Sequence, residues 1–182
     1  MPDLIRHPAA LIAKRAILAA LLLALSGCLS APPLPPAVSD KPQMRPETFF
    51  AGRTRGNGEL EVRGRGVRPF RVESTGRIES DGAFRLDQTV TYADGETETR
   101  RWTLRRVDTN TYAGTLSDAA GEVTAETTGN VLHLRYLVRK PAVMMEQRLY
   151  LQPDGRSVLC FATVTAAGVP WARLAEQIVR LE

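Results

Sequence analysis

Phe84-Arg85-Leu86-Asp87-Gln88-Thr89-Val90-Thr91-Tyr92 is the stretch that decides the fold. Phe84, Leu86, Val90 and Tyr92 fall on one parity, and Arg85, Asp87, Thr89 and Thr91 on the other. Successive side chains of a strand point to opposite faces, so this period of two places an apolar set on a core and a polar set in water. Downstream, Leu132, Leu134, Tyr136 and Val138 repeat the pattern against Val131, His133, Arg135 and Leu137. Between such runs lie hairpin turn signals: Ser80-Asp81-Gly82, Ala93-Asp94-Gly95, Asp108-Thr109-Asn110, Gly129-Asn130 and Pro153-Asp154-Gly155. Working outward, strands are predicted near 54–62, 69–79, 83–92, 97–107, 111–117, 121–128, 131–139, 145–152, 156–165 and 174–182. The expected fold is all-β, an antiparallel meander of about ten strands. Closing into a barrel removes its exposed edges most simply, and a two-sheet β-sandwich is the alternative.

The last segment reads two ways. Trp171, Leu174, Ala175, Ile178 and Leu181 sit at helical spacing after Pro170, whereas Gln177, Val179 and Leu181 alternate as a strand would.

At the other end, Arg6, Lys14 and Arg15 precede an apolar run from Ala16 to Leu25. Ten residues at about 1.5 Å each make roughly 15 Å of helix, about half of a bilayer core. This is the layout of an export signal. It ends in Leu25-Ser26-Gly27-Cys28, which resembles the bacterial lipobox. The resemblance implies cleavage before Cys28 and attachment of lipid, palmitate included, to that residue. Leu29, rather than Asp, follows the cysteine. In Gram-negative lipoproteins this implies sorting to the outer membrane, facing the periplasm. Ala31 to Pro46 carries Pro32, Pro33, Pro35, Pro36, Pro42 and Pro46, a composition that favours an extended spacer. The expected organisation is a lipoprotein-type signal peptide over 1–27, a lipidated Cys and Pro-rich linker over 28–47, and the barrel over 48–182.

The formal net charge of +4 falls to +2 once Asp3, Arg6, Lys14 and Arg15 leave with the signal. Acidic and basic residues are interspersed thereafter, so nucleic acid is not an expected partner. If Cys28 carries lipid, Cys160 has no partner for a disulfide. Within Val158-Leu159-Cys160-Phe161-Ala162 it is expected to pack in the core. The mature chain holds a single histidine, His133, on the polar parity of its strand, so neither a His/Cys metal cluster nor a Ser-His-Asp triad can be assembled. No cofactor and no catalysis are expected. Glu96 and Glu98 share a strand face with Arg100 and read as salt bridging. Gly52, Gly56, Gly58, Gly64 and Gly66 read as bulges or tight bends rather than phosphate cradles. Arg63-Gly64-Arg65-Gly66-Val67-Arg68 reads as a basic hairpin tip, with lipid phosphate as the alternative contact.

From Phe49 onward the chain resembles an uncharacterised proteobacterial lipoprotein family with a lipocalin-like barrel. The matching pieces include Phe49-Phe50-Ala51-Gly52, Tyr92-Ala93-Asp94-Gly95-Glu96, Arg100-Arg101-Trp102-Thr103-Leu104, Tyr112-Ala113-Gly114 and Gly129-Asn130. That family ends in a strand after a Gly-Val step, here Gly168-Val169. The resemblance therefore favours a final strand, with Pro170 to Arg173 as a local insertion. An acidic pair of the family is reduced here to Asp118 followed by Ala119.

Trp102, Tyr92, Tyr112, Tyr136 and Phe84 are expected on the inner face, and Arg100 shares the parity of Trp102. If the barrel keeps a cavity, Arg100, Trp102, Tyr112 and Tyr136 are the candidate ligand-binding residues. Arg100 would then meet the acidic head of an amphiphile. Three functions follow: a membrane-anchored binder of lipid or another small amphiphile, a solid-core partner of an envelope protein, and, more remotely, an enzyme resting on Glu96, Glu98 and Asp118.

Overall fold

The structure, a computed structural model, describes Leu29 and residues 34–181. The expected signal peptide and Cys28 lie outside the described residues. One helical turn, α1 (Pro46–Phe49), precedes ten strands: β1 (Gly52–Val62), β2 (Gly66–Ile78), β3 (Phe84–Tyr92), β4 (Thr97–Arg106), β5 (Thr111–Leu116), β6 (Val123–Thr128), β7 (Val131–Arg139), β8 (Val143–Leu151), β9 (Ser157–Ala166) and β10 (Val169–Arg180). Each strand pairs antiparallel with the next, and β10 returns to β1 from Thr54↔Arg180 to Val62↔Ala172. The sheet is a closed barrel and not a sandwich. It has no free edge because its first and last strands satisfy each other.

The alternation in the sequence is realised strand by strand. Phe84, Leu86, Val90 and Tyr92 are buried, as are Leu132, Leu134 and Tyr136 on β7. The C-terminal segment is strand, as the Gly-Val step implied, with one correction. Pro170 to Arg173 is not an insertion, because β10 runs continuously from Val169 with Trp171 as one bulged residue between Pro170↔Thr165 and Ala172↔Val164. The inward parity is that of Ala172, Leu174, Glu176 and Ile178, and not that of Gln177, Val179 and Leu181. Both parities carry apolar residues here, so the phase is decided by the pairing with β1 and β9.

The two poles differ. Residues 39–47, which their proline content assigns to the linker, instead pack against the pole where β1 begins. Met44 is 1% exposed, and Phe49 and Phe50 are buried beside it with rings 4.8 Å apart at a right angle. Pro46 starts α1, where its missing N–H costs no hydrogen bond. Asn130 latches this plug in place: its Oδ1 accepts from Ser39 N–H (2.7 Å) and its Nδ2 donates to the Leu151 carbonyl (3.1 Å). Gly129 allows the latch, since φ is +54° and the Ser39 carbonyl occupies the space a Cβ would need. The opposite pole is formed by the turns near residues 63–65, 93–96, 117–122, 140–142 and 167–168.

At Gly76 the plug packs on the barrel wall so closely that a Cβ would meet the Phe50 carbonyl oxygen. Overpacking against backbone cannot be relieved by a rotamer change. Gly76→Ala is expected to lower stability by about 1–3 kcal/mol in urea unfolding. Gly121→Ala, where nothing lies within 4 Å, should change it by less than about 0.5 kcal/mol.

Candidate functional site

Interior room grows with strand number, and eight strands leave just enough for side chains to fill. Ten strands here enclose a cavity of about 250 Å³. Aromatic and branched residues close it near the plug, with Phe50, Phe84, Leu104 and Leu132 among its walls. Toward the other pole it is bounded by Leu60, Val62, Tyr92 and Trp171. Trp171 lines the cavity and is also 47% exposed, so the cavity reaches the surface there. The bulge that turns Trp171 outward thus forms part of the mouth. Val67 and Val169, both more than half exposed, and Met144 surround the same pole.

Polar groups are distributed unevenly over the wall. Trp102 Nε1–H donates to Gln88 Oε1 (2.6 Å), and Gln88 Nε2 donates to Ser74 Oγ (3.2 Å). Gln147 Nε2 donates to the Tyr136 hydroxyl (3.2 Å), and the Tyr136 ring stands edge-on to Trp102 at 5.5 Å. Burial pushes the Tyr136 phenol and the Cys160 thiol well up, so both stay neutral. Arg100 donates to Glu98 Oε2 (2.9 Å), and its Nε lies 3.1 Å from Asp118 Oδ2. Its charge is therefore answered twice within the wall.

Glu176 is the exception. It lines the cavity, yet among the described residues no hydrogen bond or ion pair holds its carboxyl. Gly56, across the β1–β10 seam, leaves the space it fills, since a Cβ there would meet Glu176 Oε1, while a Cβ on Gly58 would meet the Phe70 ring and the Ala175 carbonyl oxygen first. These two glycines are neither bulges nor bends; they make room for a side chain. Burial raises the Glu176 pKa to about 7, against the weaker pull of Arg100.

The structure brings three of the four residues expected to form a site together, Arg100 and Trp102 in the cavity wall and Tyr136 behind Trp102. Tyr112 is placed elsewhere: its hydroxyl donates to Glu47 Oε2 of α1 (3.0 Å), so it secures the plug. Glu98 does bridge Arg100, but Glu96 turns to Arg68, which also stacks over the Tyr92 ring at 3.7 Å. His133 stands on the outer face, 2.8 Å from Glu146 Oε1. Cys160 is buried at 3% exposure. Among the described residues no cluster of three His, Cys, Asp or Glu side chains is placed to hold a metal. Glu176 and Gln147 are the site residues that sequence reasoning missed. A carboxylate in phase with Ala172, Leu174 and Ile178 was the available signal, hidden by the apolar residues of the other phase.

A carboxyl whose pKa is raised on folding takes up a proton as the chain folds. Its environment therefore costs nothing below about pH 4.5 and destabilises increasingly as the pH climbs through about 7. Glu176→Gln is expected to match the wild type at pH 4 and to be the more stable protein at pH 8.5, by roughly 3 kcal/mol at most. Chemical denaturation at the two pH values measures this.

Residues 22–175 match the family described as "Protein of unknown function (DUF3833)". No curated protein matches the chain. Solved structures of similar fold include the S-type phycobiliprotein lyase CPES from Guillardia theta, with TM-score 0.60, 10% identity, and coverage of 76% of this chain and 94% of that one. Rv2717c from M. tuberculosis has TM-score 0.59 and 16% identity, over 74% of this chain and 94% of its own. A protein of unknown function from the DUF3598 family of Nostoc punctiforme has TM-score 0.58 and 13% identity, over 84% of this chain and 53% of its own. At these identities the likeness is one of fold.

Proposed function

We propose that this chain, which belongs to the DUF3833 family of proteins of unknown function, is a tethered container: its barrel holds a small amphiphile, and lipid on Cys28 fixes it to the outer membrane, facing the periplasm. The observation that carries the reading is the cavity of about 250 Å³, apolar over most of its wall and reaching the surface beside Trp171. Sites for drug-sized ligands run from about 300 to 1,000 Å³, so this chamber suits one acyl chain or a small ring. The lipobox-like Leu25-Ser26-Gly27-Cys28 supports the tether. Ser39 enters at the plugged pole, so a tether at Cys28 leaves the mouth at the far end of the barrel.

Container, rather than enzyme, is the reading the chemistry favours. The buried Cys160 thiol is held protonated, and the imidazole of His133 is on the opposite face of the sheet from the cavity. The exposed Val67, Met144, Val169 and Trp171 favour a second reading, in which the mouth is a contact surface for another envelope protein.

Native mass spectrometry of protein extracted gently from its own host separates the two. A small amphiphile is expected to travel with the wild type, and Ala172→Trp, which fills the mouth beside Val62, is expected to lose it. Wild-type protein that is always empty would remove the container reading. For the tether, labelled palmitate should enter the wild type and not Cys28→Ser, and the variant should leave the membrane fraction. Equal membrane retention of the two would overturn the anchor.

A further inference from the structure

An amphiphile in this barrel has to place its polar end somewhere, and the wall offers few groups that are not already engaged. Arg100 was the expected receptor for an acidic head, but Glu98 at 2.9 Å and Asp118 at 3.1 Å already answer its charge. Gln88 is engaged at both ends, accepting from Trp102 and donating to Ser74. Arg100 Nε makes no hydrogen bond but lies against Asp118, and the free acceptors of the wall are the Glu176 carboxyl and Gln147 Oε1, whose amide nitrogen is committed to Tyr136. The ionisable groups around Glu176 are Arg100 from β4 and Cys160 from β9, while β1 presents Gly56 and Gly58 to it. Arg100 and Glu176 are the charged residues that line the chamber, and because Glu98 and Asp118 already answer Arg100 from outside the lining, the Glu176 carboxylate is the charge left without a counter-ion when it ionises.

A buried acceptor without a donor is costly, and the cost is relieved by a ligand that supplies the donor. Resting on the container reading, we infer that Glu176 is the polar anchor of the cavity and selects an amphiphile whose buried end carries a hydrogen-bond donor, an amine or a hydroxyl, rather than a carboxylate or phosphate. An ammonium gains a charge-assisted hydrogen bond to the ionised carboxylate. A hydroxyl gains the hydrogen bond alone. A carboxylate meets like charge in a poorly solvated space and is refused. Raised by burial, the Glu176 carboxyl ionises near pH 7, so preference for the amine should sharpen as the pH rises past neutrality.

Both tryptophans, Trp102 and Trp171, line the cavity, which makes their fluorescence a direct reporter. The test is titration of the purified full-length protein at pH 8 with octylamine, 1-octanol and octanoate, three probes of equal chain length. Octylamine is expected to bind tightest, 1-octanol next, and octanoate at least tenfold more weakly than octylamine. In Glu176→Gln the octylamine advantage over 1-octanol should vanish while 1-octanol still binds. Gly56→Ala pushes only on the mobile end of the Glu176 side chain, so the barrel should keep its fold while the same discrimination weakens. Octanoate binding as well as octylamine, or an order of preference untouched by either variant, overturns the assignment of Glu176 and leaves the container intact. Failure of all three probes to bind overturns both.

Discussion

The seam between β1 and β10 sets Gly58 opposite Glu176 and Gly56 opposite Ile178, in a run that extends from Thr54↔Arg180 to Val62↔Ala172. Closure depends on this pairing between strands more than a hundred residues apart. Loop-closure entropy opposes so distant a contact, and the unpaired N–H and C=O groups of two strands reward it. The same seam creates the interior, for closing ten strands leaves room that an open sheet lacks. It also brings a glycine on one strand, Gly56, against a carboxylate on the other. Site and fold share one set of hydrogen bonds.

Closure alone would leave a tube open at both poles. The segment from Ser39 to Phe50 turns it into a cup, with Met44, Phe49 and Phe50 supplying apolar bulk and Asn130 the polar latch. Tyr112 and Arg106 fasten α1 to the wall through Glu47. At the other pole no described segment covers the turns in this way, and a bulge at Trp171 leaves an indole half in solvent. An apolar mouth over a partly polar chamber is an arrangement suited to a ligand that enters tail or head first and is held along its length.

The chamber's electrostatics come from partners that lie far apart in the chain. Arg100 is neutralised by Glu98, two residues away on β4, and by Asp118 in the loop beyond β5. Among the described residues Glu176 receives no such partner, and burial raises its pKa to about 7. The cationic wall expected while Arg100 was considered alone is neutralised once Glu98 and Asp118 are counted.

How much of this was legible in the residues follows from the range of each interaction. Period-two alternation and Asp-Gly or Gly-Asn turns are local, so all ten strands and their antiparallel order could be read from the chain, as could Arg100 and Trp102 on an inner face. The plug was not legible, because proline content speaks only to local backbone preference while Met44 and Phe49 are buried by strands arriving later in the chain. Nor was Tyr112's role, which depends on Glu47 sixty-five residues earlier. The phase of β10 escaped because both of its faces carry apolar side chains, so only the partners across the seam tell inside from outside. By itself the sequence determined a meander of alternating strands, since alternation is a property of neighbours along the backbone. Tertiary structure alone decided which carboxylate is left unpaired in the interior, since that depends on what a closed barrel brings within a few ångströms.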